Sequence, residues 1–98
     1  MRPQSGLVRS FLVEAYLRTC EAAELEALGR QASAVAAGSQ AIRYLGSLVL
    51  LKDEVCFHVF EAPSLDAIVD ASEREELASD RIVETIWIAP GGLEALTK

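Results

Sequence analysis

Val55-Cys56-Phe57-His58-Val59-Phe60-Glu61-Ala62-Pro63-Ser64 decides how the chain folds. Its first seven residues are rich in β-branched and aromatic side chains, the composition of a strand. Pro63 then stops the ladder, and Ser64 is a natural helix N-cap. The stretch reads as a strand running straight into a helix. It also holds the single histidine and one of the two cysteines.

Working outward, Lys52-Asp53-Glu54 is a polar break of hairpin length, so the apolar run 41–51 before it is a partner strand. Gly46 inside that run marks a bulge or a close backbone approach. Earlier still, Leu25, Leu28, Ala32 and Val35 recur at three- and four-residue steps and form one helical stripe. Thr19 is placed to cap that helix, Glu21 and Glu24 suit its first turn, and Gly38 ends it. The run 10–17 alternates Val13 and Ala15 with Leu12, Glu14 and Tyr16, giving a first strand with one apolar face. After Ser64, the residues Leu65, Ile68, Val69 and Ser72 make the buried stripe of a second helix, with Asp66 in its first turn. Ser72-Glu73-Arg74-Glu75-Glu76 is a solvated helix end. Asp80-Arg81 leads into a fourth strand, 82–88, which Ala89-Pro90-Gly91-Gly92 breaks.

The order is β-α-β-β-α-β, two split βαβ units in succession. That predicts an α+β ferredoxin-like sandwich: a four-stranded antiparallel sheet, order 4-1-3-2, with both helices on one face. Residues 1–9 are expected as a flexible arm, 10–89 as the domain and 90–98 as a tail.

The chain has 98 residues, enough for one domain with a thin stability margin. Hydrophobic residues make up 51%, and homodimerisation is the simplest way to cover so much apolar surface. A net charge of −6 argues against a nucleic-acid footprint and against acidic membrane surfaces. Apolar runs fall far short of the roughly 20 residues of a membrane span. Two distant cysteines make no zinc-finger pattern, and with no secretory signal they are expected reduced, in a cytoplasmic protein.

Helices cover the more apolar face, so Val13, Ala15, Val55, Phe57 and Val59 are assigned to the core. Glu14, Tyr16, Cys56, His58 and Phe60 then face the open side, joined from strand four by Glu84 with Ile82 and Ile86 rather than by Val83, Thr85 and Trp87. The candidate site is thus His58, Glu14, Glu84, Cys56 and Tyr16, with His58 and Glu14 as the metal donors. Imidazole, thiolate and carboxylate are a donor set for a nickel- or zinc-like ion. The blander readings stand beside it: a hydrogen-bonded structural histidine, a buried Cys56 acting as a small hydrophobe, a cross-strand Glu14–His58 pair. Cys20, near a helix N-terminus, could be a reactive thiol.

Arg43-Tyr44-Leu45-Gly46-Ser47, the run from Cys56 to Ser64, and Asp80-Arg81-Ile82-Val83-Glu84 resemble a family of small domains of unknown function, some members of which are labelled nickel-binding protein. The resemblance spans about residues 10–88 and implies a ferredoxin-like fold that pairs into dimers. Many members of that family carry a cysteine where His58 stands here, and often a histidine where this chain has Ala71. Their Gly-x-Pro before Asp-Arg is replaced by Glu76-Leu77-Ala78-Ser79. What the resemblance implies about nickel therefore falls on an altered donor set.

Three functions remain open from the sequence: a dimeric protein binding a divalent metal or small ligand on its open sheet face; an enzyme of the dimeric α/β-barrel kind with His58 as general base; and a structural or regulatory interaction module whose sheet face is a dimer seam.

Overall fold

The computed structural model describes residues 9–86 and 88. The six elements run in the expected order: β1 Ser10–Tyr16, α1 Ala22–Ala37, β2 Arg43–Leu50, β3 Val55–Glu61, α2 Leu65–Arg74 and β4 Arg81–Thr85. All pairings are antiparallel and the strand order is β2-β3-β1-β4, with both helices packed on one side. The fold is the α+β ferredoxin-like sandwich. Most of the expected arm and all of the expected tail, 90–98, lie outside the described residues, as does Trp87. Arg9 does not: its carbonyl accepts from the Ala62 N–H at 3.1 Å. No helix among the described residues is long and apolar enough to cross a membrane.

Local chemistry explains most boundaries. Ser64 caps α2, its Oγ accepting from the Ala67 N–H at 3.1 Å, and Asp66 and Arg74 sit at the ends where the helix dipole favours them. At α1 the expected Thr19 cap is replaced. Glu21 holds the cap position without a side-chain bond, and the Glu24 carboxylate reaches back to the N–H groups of Arg18 and Thr19. Gly38 closes the helix as expected. On α2 the buried positions are Ile68, Ala71 and Ser72, whereas Leu65 is exposed. The expected stripe is therefore rotated toward Ala71.

The main correction concerns the faces of the sheet. Directly opposed residues of an antiparallel pair share a face. The register sets Phe11 against Phe60, Val13 against His58 and Ala15 against Cys56. Cys56, His58 and Phe60 consequently lie beneath the helices with Phe11, Val13 and Ala15, and all six are essentially inaccessible. Phe57, Val55 and Val59 go to the bare face with Leu12, Glu14 and Tyr16; the faces of β1 are as expected, and those of β3 are reversed. Strand β4 follows the same parity: Ile82 and Glu84 oppose Val13 and Phe11, while Arg81 and Val83 oppose Glu14 and Leu12 on the bare face. A one-residue change of parity moves a whole strand's side chains across the sheet.

The core beneath the helices joins Phe11, Val13, Phe60, Ile68, Val35 and Ala32. A smaller cluster at the far end holds Leu17, Leu28 and Cys56, with Cys20 packed against it.

Candidate functional site

The five candidate residues are divided among three places. His58 and Cys56 are buried under the helices. Glu14 and Tyr16 stand on the bare face, Glu14 bonded to Arg81 Nε at 3.0 Å and Tyr16 two-thirds exposed. Glu84 lies beyond the helix cover at the strand end, held by Arg9 through two hydrogen bonds of 2.9 Å. The Arg9 hydrogen bonds draw the Glu84 carboxyl below its ordinary range. A metal set of His58 with Glu14 and Glu84 cannot assemble across the thickness of the sheet. Among the described residues no three of His, Cys, Asp or Glu come close enough to hold a metal ion. Within one chain, the described candidates His58, Glu14, Glu84, Cys56 and Tyr16 do not form a nickel- or zinc-like centre.

What the fold does build is a hydrogen-bonded chain that starts in the core. His58 Nδ1 lies 2.6 Å from Ser47 Oγ, and Ser47 Oγ is hydrogen-bonded to the Tyr44 hydroxyl. Cys56 Sγ stands 3.8 Å from both imidazole nitrogens. The rings of Tyr44, His58 and Phe60 form an edge-on and tilted cluster with centroids 5.2–6.4 Å apart.

A bulge makes this chain possible. In a regular strand Tyr44 and Ser47, three apart, would face opposite ways. Here Tyr44 opposes Phe60 and Gly46 opposes Val59, leaving Leu45 unpaired. The extra residue restores parity and sends both hydroxyls to the helix side. Gly46 accommodates the bulge at φ +134°, a conformation that other residues rarely adopt. The interior glycine was the visible signal in the sequence. Tyr44 and Ser47 were missed because an undisturbed alternation separates them.

Burial governs the chemistry of this group. Desolvation pushes the His58 pKa down to about 4, so the ring is neutral at pH 7. Desolvation also raises the Cys56 thiol, with a smaller opposing effect from Ser47. An exposed serine backed by imidazole resembles a nucleophile–base pair. A base that titrates near 4 has little driving force to take a serine proton at neutral pH, and the imidazole itself is out of reach of any substrate. The arrangement suits positioning a hydroxyl more than activating it.

Above Tyr44, α1 and β2 flank a shallow, widely open depression of about 550 Å³ lined by Glu26, Gly29, Arg30, Ser33 and Tyr44. It adjoins a second stretch that shares Ser33 and Tyr44 and adds Ala36, Ile42 and Arg43. On the bare side, Glu14, Tyr16, Asp80 and Arg81 surround a polar recess of about 300 Å³. Its backbone is tied by the Tyr16 N–H, which donates to Asp80 Oδ2 at 2.8 Å.

No protein-family model matches the chain, and no curated protein does. Among solved structures, the crystal structure of SCO4226 from Streptomyces coelicolor A3(2) is similar at a TM-score of 0.67 and 17% identity, covering 82% of this chain and 99% of that one. The likeness extends over nearly the whole of that protein and agrees with the βαββαβ sandwich derived above.

Proposed function

We propose that the chain is a homodimeric interaction module whose bare sheet face is the seam between two copies. One observation carries this reading: the face left by the helices is apolar at its centre, and the charges at its margins are already paired. Leu12, Leu48, Leu50, Val55, Phe57, Val59 and Val83 occupy it by register; Val55 and Val59 are already buried within the chain, and Leu48 and Leu50 are the exposed members. Leu48 is 62% exposed and neighbouring Leu51 66%. Arg81 bonds Glu14 at 3.0 Å, and Arg43 bonds Glu61 at 3.1 Å. A second copy could therefore cover the leucines without stranding a charge, which is the costly error in a buried interface.

The size is adequate. Four strands about 4.8 Å apart and seven residues long span roughly 19 by 23 Å. With side-chain relief and the flanking Leu51 and Tyr16, that approaches the roughly 600–800 Å² per partner of a stable dimer. Two copies related by a twofold axis would bury their sheets face to face and leave both helix layers outward.

The test is sedimentation equilibrium on the full chain beside Leu48→Glu. Leu48 lies outside the core, so the variant keeps its fold, and circular dichroism checks this. The parent should sediment at twice 10.6 kDa and the variant at that single mass. A monomeric parent at about 100 μM, well above the Kd of a standard-size interface, would end the proposal.

A further inference from the structure

The chain has two cysteines, far apart in sequence, and the fold gathers both at one end of the helix-covered side. Ala15 of β1 lies opposite Cys56 of β3, and Leu17 follows two residues on, its N–H donating to the Glu54 carbonyl at 2.8 Å. From there the chain turns toward α1 in a tight corner. The Glu24 carboxylate accepts from the N–H groups of Arg18 and Thr19, and Thr19 Oγ accepts from the Glu21 N–H at 2.9 Å. Held in that corner, Cys20 packs against the cluster of Leu17, Leu28 and Cys56. Both thiols are free.

Their exposures differ. Cys56 is 2% exposed, whereas Cys20 is only partly buried, so a solute can reach Cys20 and not Cys56. Alone, Cys20 would be no more than an accessible thiol. A second thiol in the same packed cluster is what a reacting cysteine needs if its mixed disulfide is to be resolved within the chain. We propose that Cys20 and Cys56 form a reversible disulfide, Cys20 taking up a small-molecule disulfide and Cys56 displacing it. The site lies on the helix-covered side, so the proposal does not depend on the sheet-face seam.

Two exchanges make the bond. The Cys20 thiolate attacks one sulfur of the reagent RSSR; the Cys20–SR bond forms, the reagent's S–S bond breaks, and RS⁻ leaves and takes up a proton. Cys56, as its thiolate, then attacks Cys20 Sγ; the Cys20–Cys56 bond forms, and the second RS⁻ leaves and is protonated. The two cysteines together lose two electrons and two protons, and RSSR is reduced to two RSH. Because the second step is intramolecular, the buried thiol never has to meet the reagent. Desolvation holds the Cys56 thiol above its ordinary range, so this step is the slower one and quickens as pH rises. The product ties the entrance of α1 to β3, two residues from His58.

The test is hydroxyethyl disulfide, a small neutral reagent, added to the folded full-length chain and read by intact mass and peptide mapping. The parent should lose two hydrogens and give a single peptide pair joined through Cys20 and Cys56, which dithiothreitol separates. Cys56→Ala should stop with one mercaptoethanol group on Cys20, and Cys20→Ser should stay unmodified over the same time. Circular dichroism checks that both variants are folded, and the parent's own products decide the matter where one is not. A parent that stops at the mixed disulfide overturns the proposal. So does one that links two copies through Cys20, or one that reacts at neither cysteine.

Discussion

Acid should loosen this fold through His58 before most of its carboxylates titrate. The side chain is fully buried, and desolvation holds its pKa at about 4. In the unfolded chain it returns to about 6.5. Below that value the unfolded state binds the proton and the folded state does not. The stability is thus complete above pH 6.5, declines as pH falls, and is lost once the folded pKa near 4 is passed. The full gap of roughly 2.5 units corresponds to about 3 kcal/mol, of which about 2 kcal/mol disappears between pH 7 and pH 5. For a domain of this size that lowers Tm by about 10 °C. Carboxylates contribute in the same direction at lower pH, notably Glu24. Desolvation opposes its ionisation, but N–H donors from Thr19 and Arg18 hold its pKa below the ordinary value. The comparison is therefore with His58→Gln, which keeps a polar contact to Ser47 but cannot charge. Calorimetric Tm against pH should be steeper for the parent from pH 7 to 5, and the two slopes should converge below pH 4. Parallel curves, or a histidine C–H resonance titrating with a midpoint near 6.5, would refute the burial argument.

Three substitutions test other parts of the structure, each by urea denaturation. Gly46→Ala should cost about 1–3 kcal/mol, because φ +134° strains any residue with a Cβ even where, as here, the space is open; no loss would mean the bulge is not what sets β2. Ser72→Ala should stabilise by about 1 kcal/mol, since Ser72 Oγ is buried without a hydrogen-bond partner among the described residues. A clear destabilisation would reveal a bond that this geometry lacks. Ser64→Ala should cost about 1 kcal/mol through the lost cap on α2, and Ser64→Asp should restore most of it.

The order of elements was legible because each carries its own local signal. Polar Lys52-Asp53-Glu54 separates two apolar runs, Ser64 follows Pro63, and the three-to-four spacing from Leu25 to Val35 matches only a helix. The β3 limits agree residue for residue, Val55–Glu61. These features depend on a few adjacent residues, and no distant contact overrides them.

The candidate site was misplaced because it depended on parity, and β3 is apolar on both sides. Val55, Phe57 and Val59 look like the better core set, since the alternative contains a histidine. Two long-range facts decide otherwise. Phe60 has Phe11 opposite it, so the covered face gains two large rings that are completely buried. The polarity of His58, which counted against that face, is met by Ser47 at 2.6 Å. That partner faces the helices only because Leu45 is left unpaired ahead of Gly46. A glycine that could be read only as a bulge of unknown consequence thus turns the rest of its own strand over. With it, the polar group moves from an exposed metal set to a hydrogen-bonded chain that runs from buried His58 through Ser47 to Tyr44. The register of β1 with β3 puts His58 under the helices, and the one bulge in the edge strand brings Ser47 to the same side to meet it.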